Sequence, residues 1–125
     1  MKHNPGFLAI VEDAKSRVKE VTASQYEALN TAGTVHVLID IREESEWAGG
    51  HAANALHLGK GIIERDIETR VPDREALIVL YCGGGYRSAL AADAIQRMGY
   101  QNVLSFEGGW RAWLEAGLPV AGSPE

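Results

Sequence analysis

The sequence predicts an α/β protein: a parallel five-stranded sheet with helices on both faces. Three observations lead there. Apolar runs of strand length alternate with segments of helical period along the chain, the signature of βαβ units. Leu77-Ile-Val-Leu-Tyr81 is an unbroken run rich in branched residues, as in a strand buried on both faces. That run passes through three glycines into Ala89-Leu-Ala-Ala-Asp-Ala-Ile-Gln-Arg-Met98, a helix by propensity and period. The strand therefore ends on the carboxyl edge of the sheet, where open α/β folds bind ligands.

The elements follow in order. Phe7, Ile10, Val11, Ala14 and Val18 form a helical stripe over Phe7–Lys19, started by Pro5-Gly6. Glu20-Val21 reads as a short edge strand. Thr22 or Ser24 caps a helix through Gln25–Leu29, ended by Asn30 to Gly33. Val35–Ile39 is a strand closed by Asp40, and Glu43–Trp47 makes one or two helical turns before Gly49-Gly50. Ala55–Leu58 is a short strand; Gly59-Lys60-Gly61 turns into a helix over Ile62–Arg70, broken by Val71-Pro72-Asp73. After the helix to Met98, Gly99 caps, Val103–Phe106 is the last strand and Trp110–Glu115 the last helix. The tail from Pro119 is expected to fray.

At 125 residues the chain makes a single domain (1–125), with residues 1–20 a helical amino-terminal extension and residues 21–120 the core. A net charge of −5 without any basic run argues against nucleic acid and anionic membrane surfaces as partners. Lys15, Arg17 and Lys19, the densest basic group, read as a solvated helix face. One cysteine excludes an internal disulfide and any CxxC metal or redox site. No stretch approaches the ~20 apolar residues of a membrane span, and the first residues make a poor signal peptide. A cytoplasmic protein that needs no cofactor is the expectation.

Cys82 is that single cysteine, at the end of the buried strand. Gly83, Gly84 and Gly85 can take positive φ without steric cost, so the backbone can turn several N–H groups into one concavity. The next helix adds its unpaired first-turn N–H groups and the positive end of its dipole, and Arg87 adds a cation. Such a cradle favours the thiolate, the reactive form, and would also hold an anionic substrate. A lone cysteine after a strand is ordinarily just a small buried hydrophobe. Thiol, glycines, arginine and helix start in register favour a functional thiol instead.

Three blocks then resemble one family, the single-domain rhodaneses. Leu38-Ile-Asp40-Ile-Arg42-Glu43-Glu-Ser-Glu46-Trp47-Ala-Gly-Gly50-His51 is similar to its amino-terminal signature. Cys82-Gly-Gly-Gly85-Tyr-Arg87-Ser88 resembles its active-site loop. Phe106-Glu-Gly108-Gly109-Trp110-Arg-Ala-Trp113 with Gly117-Leu-Pro119 resembles its carboxyl-terminal signature. The resemblance runs from about Val21 to Val120 and implies a rhodanese-like fold and a sulfurtransferase. It implies that Cys82 takes a sulfane sulfur from an anionic donor, commonly thiosulfate, as a persulfide and passes it to cyanide or a thiol. Gly83, Gly84, Gly85, Tyr86, Arg87 and Ser88 would supply the amides of the cradle, and Arg87 would help to hold donor and thiolate.

Asp40 and Arg42 are read as supporting residues that brace the active-site loop by charge-assisted hydrogen bonds, with a catalytic acid–base role the alternative. His51 and His57 are read as structural rather than metal ligands, and Trp47, Trp110 and Trp113 as packing anchors. Two departures stand out. Ala52-Ala53-Asn54 replaces the apolar residue, proline and glycine more usual in the family, and Asn tolerates positive φ. The loop has no cation besides Arg87, which makes thiosulfate less secure than sulfane-sulfur transfer in general.

Two rivals remain. Cysteine phosphatases that share the fold have one more residue between Cys and Arg and a histidine before the Cys; here four intervene and Tyr81 precedes Cys82. A regulatory rhodanese module, or a persulfide carrier serving protein partners, would use the same fold, the carrier with the same thiol.

Overall fold

The computed structural model describes residues 2–122. The chain runs α1 (Pro5–Lys15), β1 (Lys19–Val21), α2 (Ala23–Thr31), β2 (Val37–Asp40), α3 (Glu44–Ala48), β3 (His51–Ala52), β4 (Leu56–His57), α4 (Ile63–Arg70), β5 (Leu77–Tyr81), α5 (Tyr86–Arg97), β6 (Asn102–Phe106), α6 (Gly109–Glu115) and β7 (Val120–Ala121). Five strands form one parallel sheet in the order β1-β6-β5-β2-β4, as the strand–helix alternation predicts.

Local chemistry explains the boundaries. Pro5 opens α1, where its missing N–H would be unpaired anyway. Thr22 and Gln25 form a reciprocal capping box at α2, Thr22 Oγ1 accepting from the Gln25 amide at 3.1 Å. Of the two caps proposed there, Thr22 is used. Asn54 sits at φ 68, the positive backbone angle that asparagine was expected to tolerate.

β5 is central, and its alternation divides the core. Ile78, Leu80 and the following Cys82 join Ile63 and Ile67 of α4 and Ala91, Ala92 and Ile95 of α5 on one face. Val79 and Tyr81 join Tyr26 of α2 and Trp113 of α6 on the other.

Two expectations change. The basic group at Lys15, Arg17 and Lys19 is not simply solvated. Arg17 forks onto Asp93 of α5 at 2.9 and 2.8 Å and also reaches Asp13, while Val11 and Ala14 are buried. α1 is thereby fastened to the helix that leaves the cysteine loop. Nor does the chain fray from Pro119. β7 pairs antiparallel with β3, His51 opposite Ala121 and Ala52 opposite Val120. The Pro119 carbonyl accepts from the Ala53 amide at 3.0 Å and from Trp113 Nε1 at 2.9 Å. Strands of two residues carry no readable period, so this pairing is invisible in the linear chain. The rest of the expected frayed tail, residues 123–125, lies outside the described residues. No helix among the described residues is long and apolar enough to cross a membrane.

Candidate active site

β5 delivers Cys82 to the carboxyl edge of the sheet, where the residue is 1% exposed. Its Sγ accepts from the Gly85 amide at 3.1 Å and the Ser88 amide at 3.4 Å. The Ser88 hydroxyl lies 3.6 Å from the sulfur and is itself fixed to Ser105 Oγ at 2.7 Å. Gly85 is the amino-terminal cap of α5 in the left-handed region, φ 97, which directs first-turn amides at the sulfur. α5 therefore starts at Tyr86, three residues before the helix expected from propensity, and Tyr86, Arg87 and Ser88 are its first turn. The thiol sits at the positive end of a helix of 12 residues.

The loop is held from behind by α6. Its first-turn amides, which have no partner within the helix, take the loop carbonyls: Trp110 N–H donates to Cys82 O at 2.6 Å and Arg111 N–H to Gly83 O at 3.3 Å. With these carbonyls drawn outward, loop amides are left to face the sulfur. The approach requires glycine at 109, where φ is +55 and a Cβ would lie 2.6 Å from the Gly83 carbonyl carbon.

Arg87 lies across the loop, but its guanidinium is committed. It forks onto Glu46 of α3 at 3.1 and 3.2 Å. Glu46 is also tied back to the Glu43 amide at 2.8 Å. Hydrogen bonds from Arg87 hold the Glu46 carboxyl below the usual carboxylate range, against the opposing effect of burial. The loop cation is thus already paired with a carboxylate of the protein.

Asp40 and Arg42 form a buried pair at the end of β2, 0% and 4% exposed. Arg42 Nη2 donates to Asp40 Oδ2 at 2.8 Å and to the Gly50 carbonyl at 2.8 Å. Tyr81 donates its hydroxyl hydrogen to Asp40 at 2.6 Å and accepts from the Ala52 amide at 2.9 Å. Burial pushes the Tyr81 phenol well above its ordinary range, and the bond to Asp40 adds to this. The pair's hydrogen bonds go to Tyr81 and Gly50 rather than to the glycine loop. It meets the loop one step removed, through the Arg42 guanidinium packed 4.7 Å from the Trp110 ring.

A family model, Rhodanese-like domain, matches residues 22–116. The chain belongs to the rhodanese-like family. A protein of Allochromatium vinosum named sulfurtransferase is 37% identical over 89 residues, 71% of this chain and 80% of its own. The thiosulfate sulfurtransferase GlpE of Pseudomonas entomophila is 33% identical over 98 residues, 78% of this chain and 86% of its own. Among solved structures, a Rhodopseudomonas palustris protein of unknown function, described as a possible tyrosine phosphatase, superposes with a TM-score of 0.82 at 32% identity, covering 96% of this chain and 97% of that one. The polysulfide-sulfur transferase of Wolinella succinogenes, a homodimer, superposes with a TM-score of 0.77 at 29% identity, covering 92% and 86%.

The other residues singled out in this rhodanese-like domain have plain structural partners. The His51 ring stacks on Trp47, with Nδ1 3.1 Å from the Trp47 carbonyl, and His57 Nε2 lies 2.8 Å from the Arg42 carbonyl. Among the described residues no cluster of three His, Cys, Asp or Glu side chains could hold a metal. Trp113 is buried between Tyr26, Tyr81 and Phe106.

Beside the loop runs a groove of about 480 Å³, lined by His3, Gly83, Gly84, Tyr86, Gly108 and Arg111. The Tyr86 ring packs against His3 at 4.5 Å and Phe7 at 6.1 Å. A second concavity of about 460 Å³, around Arg42, His57 and Arg70, does not include the thiol loop. His3, Glu46 and Arg111 were not singled out from the sequence. Glu46 and Arg111 stand inside the signature blocks, but nothing in their spacing shows that one pairs with Arg87 and the other borders Gly83 and Gly84.

Proposed function

We propose that this rhodanese-like domain is a sulfurtransferase that carries sulfane sulfur as a persulfide on Cys82. The observation that carries the reading is the sulfur itself, held by two main-chain amides at the amino terminus of α5. Those amides stabilise a thiolate before attack and again when it is the leaving group. With thiosulfate, the thiolate attacks the outer sulfur, the S–S bond breaks with its electron pair on the departing sulfite, and Cys82 becomes a persulfide. Cyanide or a thiolate then attacks that outer sulfur, and the pair of the second S–S bond returns to Cys82. No metal or redox cofactor enters. The family relatives named sulfurtransferase and thiosulfate sulfurtransferase support the reading. A thiol that must remain unoxidised suits the cytoplasm.

Intact mass after incubation with thiosulfate, with and without cyanide, tests it. A gain of about 32 Da that cyanide removes is expected. No gain on folded protein from thiosulfate or polysulfide would overturn it. A phosphate-ester assay would then examine the phosphatase reading, which the description of the R. palustris neighbour raises.

A further inference from the structure

The groove beside the loop adds a cation that the mechanism above leaves unused. Arg111 reaches it from the first turn of α6, and its own amide is bonded to Gly83 O at 3.3 Å. Its guanidinium is exposed and makes no ion pair among the described residues. Arg87, by contrast, is forked onto Glu46. The lining includes no carboxylate: two glycines of the thiol loop form one wall, the Tyr86 ring and the His3 imidazole another, and Gly108 and Arg111 the rest. Lys15 Nζ, 5.3 Å from the centre of the Tyr86 ring, is paired with Glu20 at 3.5 Å, which leaves Arg111 as the cation of the groove lining. At about 480 Å³ the groove falls within the ~300–1,000 Å³ of sites for organic ligands, far more room than a five-atom inorganic donor fills.

We propose that this groove seats the sulfur acceptor, an organic thiol bearing a carboxylate, with Arg111 binding that carboxylate. The proposal rests on the sulfurtransferase reading and names its second substrate. An aromatic wall suits the carbon skeleton of such a thiol, and the Arg111 guanidinium suits its carboxylate as a two-pronged donor. Gly83 and Gly84 border the groove immediately after Cys82 in the chain, so a ligand anchored at Arg111 lies along the loop that surrounds the sulfur. In the transfer, the acceptor thiolate attacks the outer sulfur of the Cys82 persulfide. A new S–S bond forms to the acceptor, and the old one breaks with its electron pair on Cys82 Sγ. The outer sulfur leaves with its proton on the acceptor, as a persulfide. Nothing is oxidised or reduced overall.

Two measurements test this together. Steady-state kinetics with thiosulfate as donor compare mercaptosuccinate, a dicarboxylate thiol, with the neutral 2-mercaptoethanol. Arg111→Gln should raise KM for mercaptosuccinate roughly fivefold, the size of a partly exposed ion pair, and leave KM for 2-mercaptoethanol and for thiosulfate unchanged. Arg111→Lys should restore part of the loss. An equal change for both thiols, or no change, would overturn the proposal. So would a rise confined to thiosulfate, which would make Arg111 a donor-binding residue. The second measurement needs no turnover: the unloaded protein is titrated with S-methyl mercaptosuccinate, an unreactive thioether, while amide NMR shifts are followed. Saturable shifts at Gly83, Gly84 and Arg111, weakened in Arg111→Gln, are expected; their absence overturns the groove assignment. Should no persulfide form on Cys82 from any sulfane donor, the sulfurtransferase reading falls, and this titration still decides whether the groove binds a carboxylate-bearing ligand.

Discussion

The amide of Trp110 donates to the carbonyl of Cys82 at 2.6 Å, so the residue before the glycine loop is held by the helix that follows the last strand of the parallel sheet. Carbonyls on one side of the loop are taken by α6, and amides on the other side face the sulfur. The electrostatic character of the thiol site depends on this division, because an inward-facing carbonyl would oppose a thiolate.

Gly109→Ala should therefore damage the site without touching the thiol. A side chain at φ +55 is strained, and its Cβ would meet the Gly83 backbone. A stability loss of at least ~2 kcal/mol is expected from these two effects, together with slower persulfide formation. Urea unfolding and the rate of mass gain from thiosulfate measure both. A variant of unchanged stability and rate would show that the division of amides and carbonyls does not matter.

Cys82→Ser should abolish sulfur transfer and leave the fold intact, since the residue packs as a small buried group and serine is nearly isosteric. Thiocyanate formation from thiosulfate and cyanide, with circular dichroism as the control for folding, checks this. Residual turnover by the folded variant would refute a persulfide on Cys82.

Glu46 restrains Arg87, and freeing the cation should help an anionic donor. Glu46→Gln should lower KM for thiosulfate severalfold, while Arg87→Ala should raise it by about tenfold, the effect of losing a charge-assisted contact. The pH dependence has a definite sign. The Glu46 carboxyl is depressed from its ordinary 4.5 by Arg87, so the pair's contribution to stability is fully present above that value and disappears only as pH falls through the lower, folded one. Both groups are about a third exposed, so solvent screening limits that contribution to roughly 0.5–1 kcal/mol. Neutral-range stability should thus be flat with respect to this pair, with a loss in acid that Glu46→Gln lacks. Acid titrations of the two proteins by fluorescence compare them directly.

Tyr81, Asp40 and Arg42 form a buried hydrogen-bonded network, and a purely structural role for it makes a definite prediction. Tyr81→Phe removes the hydroxyl that bridges the Ala52 amide and Asp40, and should cost roughly 1–3 kcal/mol. Asp40→Ala leaves Arg42 buried without its carboxylate and should cost about 3–5 kcal/mol. If both are structural, the folded fraction of each variant will still form persulfide at the normal rate and with an unaltered pH profile. A rate that collapses in well-folded Tyr81→Phe would instead place the network in the chemistry.

Much of the fold was legible because it rests on local signals. Branched residues at 77–81, the Thr22/Gln25 cap and the glycines that follow α2, α3, α5 and α6 mark their elements without reference to the rest of the chain. The misplaced features lack such signals. The start of α5 lies at Tyr86 because Gly85 turns left-handed under Gly108, a contact between residues far apart in sequence. The β3–β7 pair is too short for a period to emerge, and Arg17 looks solvated until α5 brings Asp93 beside it.

By itself the sequence determined the strand–helix alternation, the single thiol, its place at the end of the buried central strand, and the glycines that let the next turn curl. These follow from propensity, period and backbone sterics, which act over a few residues. Tertiary structure alone decided which amides face the sulfur, that Arg87 is held by Glu46, and that Arg111 and His3 border the loop. Each of those depends on where a parallel sheet returns its distant segments, because hydrogen bonds and ion pairs act over a few ångströms in space whatever the separation along the chain.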